Sequence, residues 1–249
     1  MSSPFEIIAK SVRLYKTNAY TFLGYSSWML LTFAAFVLLG FFPLTPFVKF
    51  LAFVLSIFEI LVSLWVFISL VLCSKAILSN QTNEIKKIGQ TAKSLIQPVL
   101  TVALLQILML IGGVLLIIVP SFIFMVWFCF AQLNVIFDGK RGIDALQTSR
   151  ELVKGKFWKV FLLVFGGTFI LFFIYSVILS ILMGVIAAAQ GVDIIDLLNG
   201  TLPLWIQVLE AIGEVLLLPL IVIYLTSVYL EVRNEKVIES KSHSRGESN

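Results

Sequence analysis

The sequence predicts an all-α membrane protein, a bundle of six transmembrane helices with three amphipathic helices at the cytoplasmic interface. Three observations predict it. Hydrophobic residues make up 59% of the 249-residue chain and charged residues only 13%, whereas a water-facing surface needs roughly a quarter of its residues charged. The apolar residues are gathered into long runs, and the mean hydropathy is +1.03. Lys and Arg, finally, cluster between alternate runs rather than being spread along the chain.

A helix crosses about 30 Å of hydrocarbon with about 20 apolar residues. On that measure the spans fall near residues 20–42, 48–76, 99–118, 121–137, 158–188 and 203–231. The first run, YTFLGYSSWMLLTFAAFVLLGFF, is far longer than a signal-peptide core and ends without a small-residue cleavage site, so it is read as a span. Only VPS separates spans three and four. Pro120 is expected at a hairpin corner there, because one helix through both spans is too long for a bilayer. Residues 1–232 then form a single membrane domain. The tail 233–249 is polar, mixed in charge and holds the only histidine, His243; it is expected to be disordered.

Orientation follows from the basic residues. Of the 18 Lys and Arg residues, only Lys49 falls on the far side, so both termini are expected in the cytoplasm. The net charge of +4 is too small to suggest a nucleic-acid partner.

The segments that carry the charge repeat. In GIDALQTSRELVKGKF, residues 142–157, Ile143, Leu146, Ser149, Val153 and Phe157 share one helical face, opposite Asp144, Gln147, Glu151 and Lys154. The N-terminal PFEIIAKSVRLYKTNAY aligns with it without a gap, pairing Glu6 with Asp144, Ser11 with Ser149, Leu14 with Leu152, Lys16 with Lys154 and Tyr20 with Trp158. A weaker copy, EIKKIGQTAKSLIQPVL, places Ile85, Ile88, Ala92, Leu95 and Val99 on one face. Interfacial helices are therefore expected near 4–18, 84–97 and 142–156, each followed by a transmembrane hairpin, giving three parallel repeats. Lys16, Lys154, Lys156 and Lys159 are the candidate contacts to lipid headgroups, and Tyr20 and Trp158 suit the aromatic belt.

Chemistry is sparse. Glu59, Glu210 and Glu214 lie in apolar runs, where an ionised carboxylate at mid-membrane costs about 3 kcal/mol. Two readings stay open. Glu210 and Glu214, four residues apart, could meet Glu59 in a cation or proton path; alternatively all three sit at the outer headgroup level, because the runs are longer than the hydrocarbon. Gln106, Gln132 and Asn134 suit hydrogen bonds between helices, and Gly112-Gly113 and Gly166-Gly167 suit close approach or a bend. Pro219 is placed to kink span six. Asn199, in NGT, fits a glycosylation acceptor too common to carry weight. Cys73 and Cys129 read as buried thiols rather than a disulfide. No catalytic, cofactor-binding or metal-binding motif is visible, so no cofactor is expected.

From IVPSFIFMVWF through FDGKRGIDALQTSRELVKGKFWKVFLLVF, the chain resembles the membrane domain of glycerophosphoryl diester phosphodiesterases and YciC-like six-span membrane proteins of bacteria and archaea. The resemblance rests on Pro120, Ala145, Ser149, Leu152, Gly155 and Trp158, and on a Tyr-x-x-x-Arg ending at Tyr229 and Arg233. It implies six spans in a prokaryotic inner membrane, and it marks architecture only. The namesake enzymes keep catalysis in a separate soluble domain that nothing here matches. The expected role is non-enzymatic support of lipid or envelope homeostasis or of a partner complex, with membrane lipids, a protein partner or a second copy as partners. A small transporter using the three glutamates, or a membrane subunit of a lipid-active enzyme, are the alternatives.

The topology is testable in a chain whose Cys73 and Cys129 are replaced by alanine. Lys49→Cys should react with an impermeant maleimide added outside intact cells, and Lys154→Cys should not. Outside labelling at 154 contradicts the six-span orientation.

Overall fold

The computed structural model describes residues 3–79, 87–116, 118–191 and 203–246; Ile85, Lys86 and Asn199 lie outside them, as does the His243 side chain. Among the described residues all regular structure is helical. Six helical segments are long and apolar enough to cross a membrane: Ala19–Gly40, Pro46–Leu78, Ile88–Val114, Pro120–Asp138, Phe157–Ala189 and Leu204–Ile238. The chain is an integral membrane protein with an all-α bundle.

Local sequence sets the helix starts. In α1 (Pro4–Thr17) Ser3 and Glu6 form a reciprocal capping box and Pro4 opens the first turn. Span one is α2 (Ala19–Ser26) and α3 (Trp28–Gly40), interrupted at Ser27. Thr45 caps α4 (Pro46–Leu78) by accepting from the Val48 N–H at 3.3 Å. Next come α5 (Ile88–Leu116), α6 (Ile118–Trp127), α7 (Ala131–Asp138) and α8 (Gly142–Val153). Span five begins as α9 (Phe157–Phe161), passes through a π-turn at Leu162–Gly166, and continues as α10 (Gly167–Ala189); α11 (Leu204–Gly246) closes the chain.

Three expectations change. The second amphipathic segment is not a separate interfacial helix: α5 runs unbroken from Ile88 through Pro98 into span three. The first and third copies leave the helix after Thr17 and after Val153, whereas the second continues through the corresponding region. Pro120 is not the hairpin corner but the third residue of α6, in a first turn that needs no intrahelical N–H there. The tail is not coil from residue 233, since α11 stays helical through Gly246. Its basic and acidic side chains find partners on α7, α8 and α9, which supplies the ordering that composition alone did not predict.

The buried core sits at the basic end of the bundle. Val66 to Ala76, Ile88 to Val102, Val126 to Val153 and Val222 to Val232 supply most of the buried residues. The opposite halves of the spans expose Phe50, Phe53, Leu108, Phe169, Phe173 and Ile181 along their length, as lipid-facing helices do. Packing at the basic end is cyclic. The start of α5 lies on the end of α4, α8 lies on α7, and α1 lies on α11. Each repeat's entry helix therefore packs on the exit helix of the repeat before it, and the first packs on the last.

One glycine of each pair makes a close approach. A Cβ at Gly113 would sit 2.8 Å from the Ser121 hydroxyl of the neighbouring helix, while Gly112 faces open space. A Cβ at Gly167 would collide with the Tyr224 ring and hydroxyl, while Gly166 has nothing within 4 Å. Gly167→Ala should thus destabilise the fold by about 1–3 kcal/mol through overpacking. Gly166→Ala, measured by thermal unfolding in the same detergent, should leave stability nearly unchanged.

Candidate functional site

The polar chemistry at the basic end begins with a break in span four. Between α6 and α7, residues 128–130 leave the helix, so backbone groups that an α-helix would satisfy need other partners. Ser149 of α8 supplies two. Its hydroxyl donates to the Trp127 carbonyl at 2.7 Å and accepts from the Phe130 N–H at 3.1 Å. Gln106 of α5 donates to the Phe128 carbonyl at 2.6 Å, and Gln132 donates to the Gln106 side-chain oxygen at 3.1 Å. The Arg150 guanidinium lies 4.3 Å from the centre of the Trp127 ring.

A second cluster joins the exit helices. Asn134 of α7 donates to the Ala145 carbonyl at 3.1 Å, and the Tyr229 hydroxyl of α11 shares its one proton between Asn134 Oδ1 and Asp138 Oδ2, each at 3.0 Å. Arg233, one turn on, pairs with Asp138 Oδ1 at 2.7 Å. Most motif residues singled out in the sequence thus have a physical role. Ala145 and Ser149 are small and fully buried under α7. Leu152 packs into the core, and Gly155 takes a φ of +83°, a left-handed conformation that favours glycine, to turn the chain toward span five. Asn134 and Asp138 complete the network. Of these, Asn134 was expected to bridge helices, whereas Asp138 carried no sequence signal beyond its place before a capping glycine.

Span five is irregular too, and Tyr224 donates to the Leu163 carbonyl within its π-turn. The same offset that aligns α1 with α8 sets this turn against the Ser27 interruption of span one.

The candidate lipid contacts divide. Lys16 and Lys154 are exposed. Lys156 is drawn to Glu235 of α11 at 3.1 Å, and Lys159 reaches the same carboxylate at 3.5 Å. Lys236 donates to the Glu151 carbonyl. Two of the four lysines are thus engaged with protein, because α11 continues far enough to present Glu235. Tyr20 and Trp158 are 97% and 67% exposed. The stripe expected on α1, Phe5, Ile8, Val12, Tyr15 and Ala19, is half-buried apart from Phe5. It lies beside the deepest contacts, which Ile7 and Ser11 make against α11, while Leu146, Ser149 and Val153 of the α8 stripe bury under α7. Phe5 and Ile143 are the members of the two stripes left exposed. Burial between the helices pushes the Tyr15 phenol of α1 above its usual pKa.

Glu214 of α11 lies within electrostatic reach of Glu210 on its own helix and of Glu59 on α4, and Tyr175 of α10 lies within reach of Glu214 and Glu210. Gly213 admits the Tyr175 hydroxyl against α11. Glu59 and Glu210 are half-buried and Glu214 is exposed. Among the described residues, no group of three His, Cys, Asp or Glu is placed to hold a metal ion. Comparison with family models, characterised proteins and solved structures finds no match for this chain.

Ser149→Ala leaves a buried carbonyl and a buried N–H without partners, and should cost about 1–3 kcal/mol for each group. Ser11→Ala, at the matching position of α1, loses only a bond to its own helix at Ile7. It should cost well under about 1 kcal/mol. Equal losses in thermal unfolding would contradict the difference drawn between the two serines.

Proposed function

We propose that the chain is a non-enzymatic inner-membrane protein whose basic end faces the cytoplasm and engages anionic lipid, in support of membrane or envelope homeostasis. The observation that carries this reading is the construction of that end. A tightly packed, hydrogen-bonded ring of helix ends carries exposed Lys16 and Lys154 at its rim and exposed Tyr20 and Trp158 at the entries to their spans. Basic side chains beside interfacial aromatics are the arrangement expected where a protein surface meets phosphate headgroups. The resemblance read from the motif residues to six-span membrane domains of the phosphodiesterase type implies the same architectural class.

The test is lipid retention in native mass spectrometry from nanodiscs of phosphatidylcholine and phosphatidylglycerol. The wild-type chain should leave the disc carrying phosphatidylglycerol, and Lys16→Gln with Lys154→Gln should carry less. Lys156→Gln should instead lower thermal stability, because it loosens Glu235. No phosphatidylglycerol on the wild-type chain removes the lipid reading.

One observation favours a second reading, a small cation or proton transporter. Glu214 lies within electrostatic reach of Glu59, from a different span, and of Glu210 on its own helix, in apolar runs where a carboxylate at mid-membrane is costly. In proteoliposomes, Glu59→Gln, Glu210→Gln and Glu214→Gln together should abolish proton or cation flux if this reading holds. Flux that is absent in the parent protein or unchanged in the triple variant removes it.

A further inference from the structure

The cyclic packing creates the same notch three times, where an entry helix meets the exit helices of its own and the preceding repeat, and the three notches differ in charge. The notch at α8 is filled. Tyr229, Asn134, Asp138 and Arg233 occupy it with the hydrogen bonds and ion pair given above. The notch at α1, about 510 Å³ between Ile7, Leu78 and Leu230, is open, but Glu6 and Glu231 line it beside Lys10. It carries its own counter-charge. The notch at α5 is open and cationic: a cavity of about 570 Å³ lined by Lys75 and Lys87, with Thr91 and an apolar wall that includes Ile88, Leu95 and Ile136. Ile7 and Ile88, each buried near the start of its entry helix, line the two cavities, which are distinguished by their charges.

In the third notch no carboxylate of the described residues neutralises the lysines. Neither Lys75 nor Lys87 has a carboxylate within ion-pair distance among the described residues. Lys75 stands with its ammonium 4.9 Å from the centre of the Phe137 ring, which holds it at the cavity rather than in open solvent. The start of α5 lies at the same place, so the positive end of a helix 29 residues long adds to the field. Two ammonium groups on one cavity, with no counter-charge among the described residues, suit an anion. A phosphate, which takes charge-assisted hydrogen bonds from both, fits that chemistry. The volume lies in the range of small-ligand pockets, roughly 300–1,000 Å³, and leaves room beyond the phosphate along the apolar wall.

We propose that the cavity between α4, α5 and α7 is a phosphate-binding site, with Lys75 and Lys87 as its two cationic ligands. The phosphate is that of an anionic phospholipid headgroup or of a soluble phosphate compound. The site rests on the lipid reading above only in naming phospholipid as one source.

The experiment has two arms, each with the full chain. In neutral detergent, inorganic phosphate is titrated against wild-type protein, Lys87→Glu, and Lys75→Gln with Lys87→Gln, and followed by calorimetry. In nanodiscs of phosphatidylcholine and phosphatidylglycerol, native mass spectrometry counts the phosphatidylglycerol retained by the same proteins. Lys87 is exposed, so its replacement leaves the core untouched, and Lys87→Arg serves as the charge-preserving control. The site predicts at least roughly tenfold weaker binding of one ligand or both in the two variants, with Lys87→Arg close to wild type. Dependence in the phosphate arm alone makes the source soluble; dependence in the lipid arm makes it a headgroup. A wild-type chain that retains no phosphatidylglycerol yet binds phosphate through these lysines ends the lipid reading and keeps the site. Retention that depends on Lys16 and Lys154 but on neither Lys75 nor Lys87 in either arm keeps the lipid reading and overturns the site. Binding in neither arm overturns both.

Discussion

A backbone N–H or carbonyl inside a membrane must find its partner within the protein, because lipid offers none. Spans four and five depart from regular α-helix, span four at residues 128–130 and span five at Leu162–Gly166. In each case a side chain from another helix bonds the irregular backbone. Ser149 takes up the Trp127 carbonyl and the Phe130 N–H of span four, while Gln106 adds a second donor to the Phe128 carbonyl and Tyr224 a second donor to the Leu163 carbonyl of span five. The rest of the basic end depends on this substitution. It fixes α8 under α7, α5 beside the break, and α11 against the π-turn, and it makes small residues necessary at Ala145 and Gly167.

The cyclic packing follows from those attachments. An amphipathic helix at the start of each repeat has an apolar face to bury, and the exit helix of the preceding repeat offers the surface. Closing α1 onto α11 leaves no repeat without a neighbour. The tail of α11 then continues beyond the membrane-spanning segment because Arg233, Glu235 and Lys236 are each held by a residue of α7, α8 or α9. The opposite halves of the spans lack such attachments, and they expose apolar side chains along their length. The protein is thus cross-linked at one end, where the two cavities lined by charged residues are found.

Much of this was legible in the sequence. Six apolar runs of spanning length gave the helices, and the gapless alignment of α1 with α8 has a structural counterpart in the matched burial of Ser11 and Ser149. What the sequence did not show has physical causes. Amphipathicity reports that a face is buried but not what covers it, so the stripes of α1 and α8 read as lipid-facing when protein covers most of them. A proline marks a restricted backbone without saying whether the helix stops, and α5 runs through Pro98 while α6 begins just before Pro120. Charge-rich composition at 233–246 read as coil because the partners of Arg233 and Glu235 lie about 75 to 100 residues earlier in the chain. The electrostatic reach between Glu59 and Glu214, and the pairing of Lys75 with Lys87 on one cavity, are likewise products of the folding of distant segments onto one another.

The claim on which the account turns is that Ser149 stands in for the missing helix at the span-four break. Hydrogen exchange at the Phe130 amide, measured in nanodiscs, tests it most directly. The account predicts protection comparable to the helical amides of α7, because that N–H donates to the Ser149 hydroxyl within a buried contact. Exchange at Phe130 as fast as in an open loop, with α7 itself protected, would contradict it.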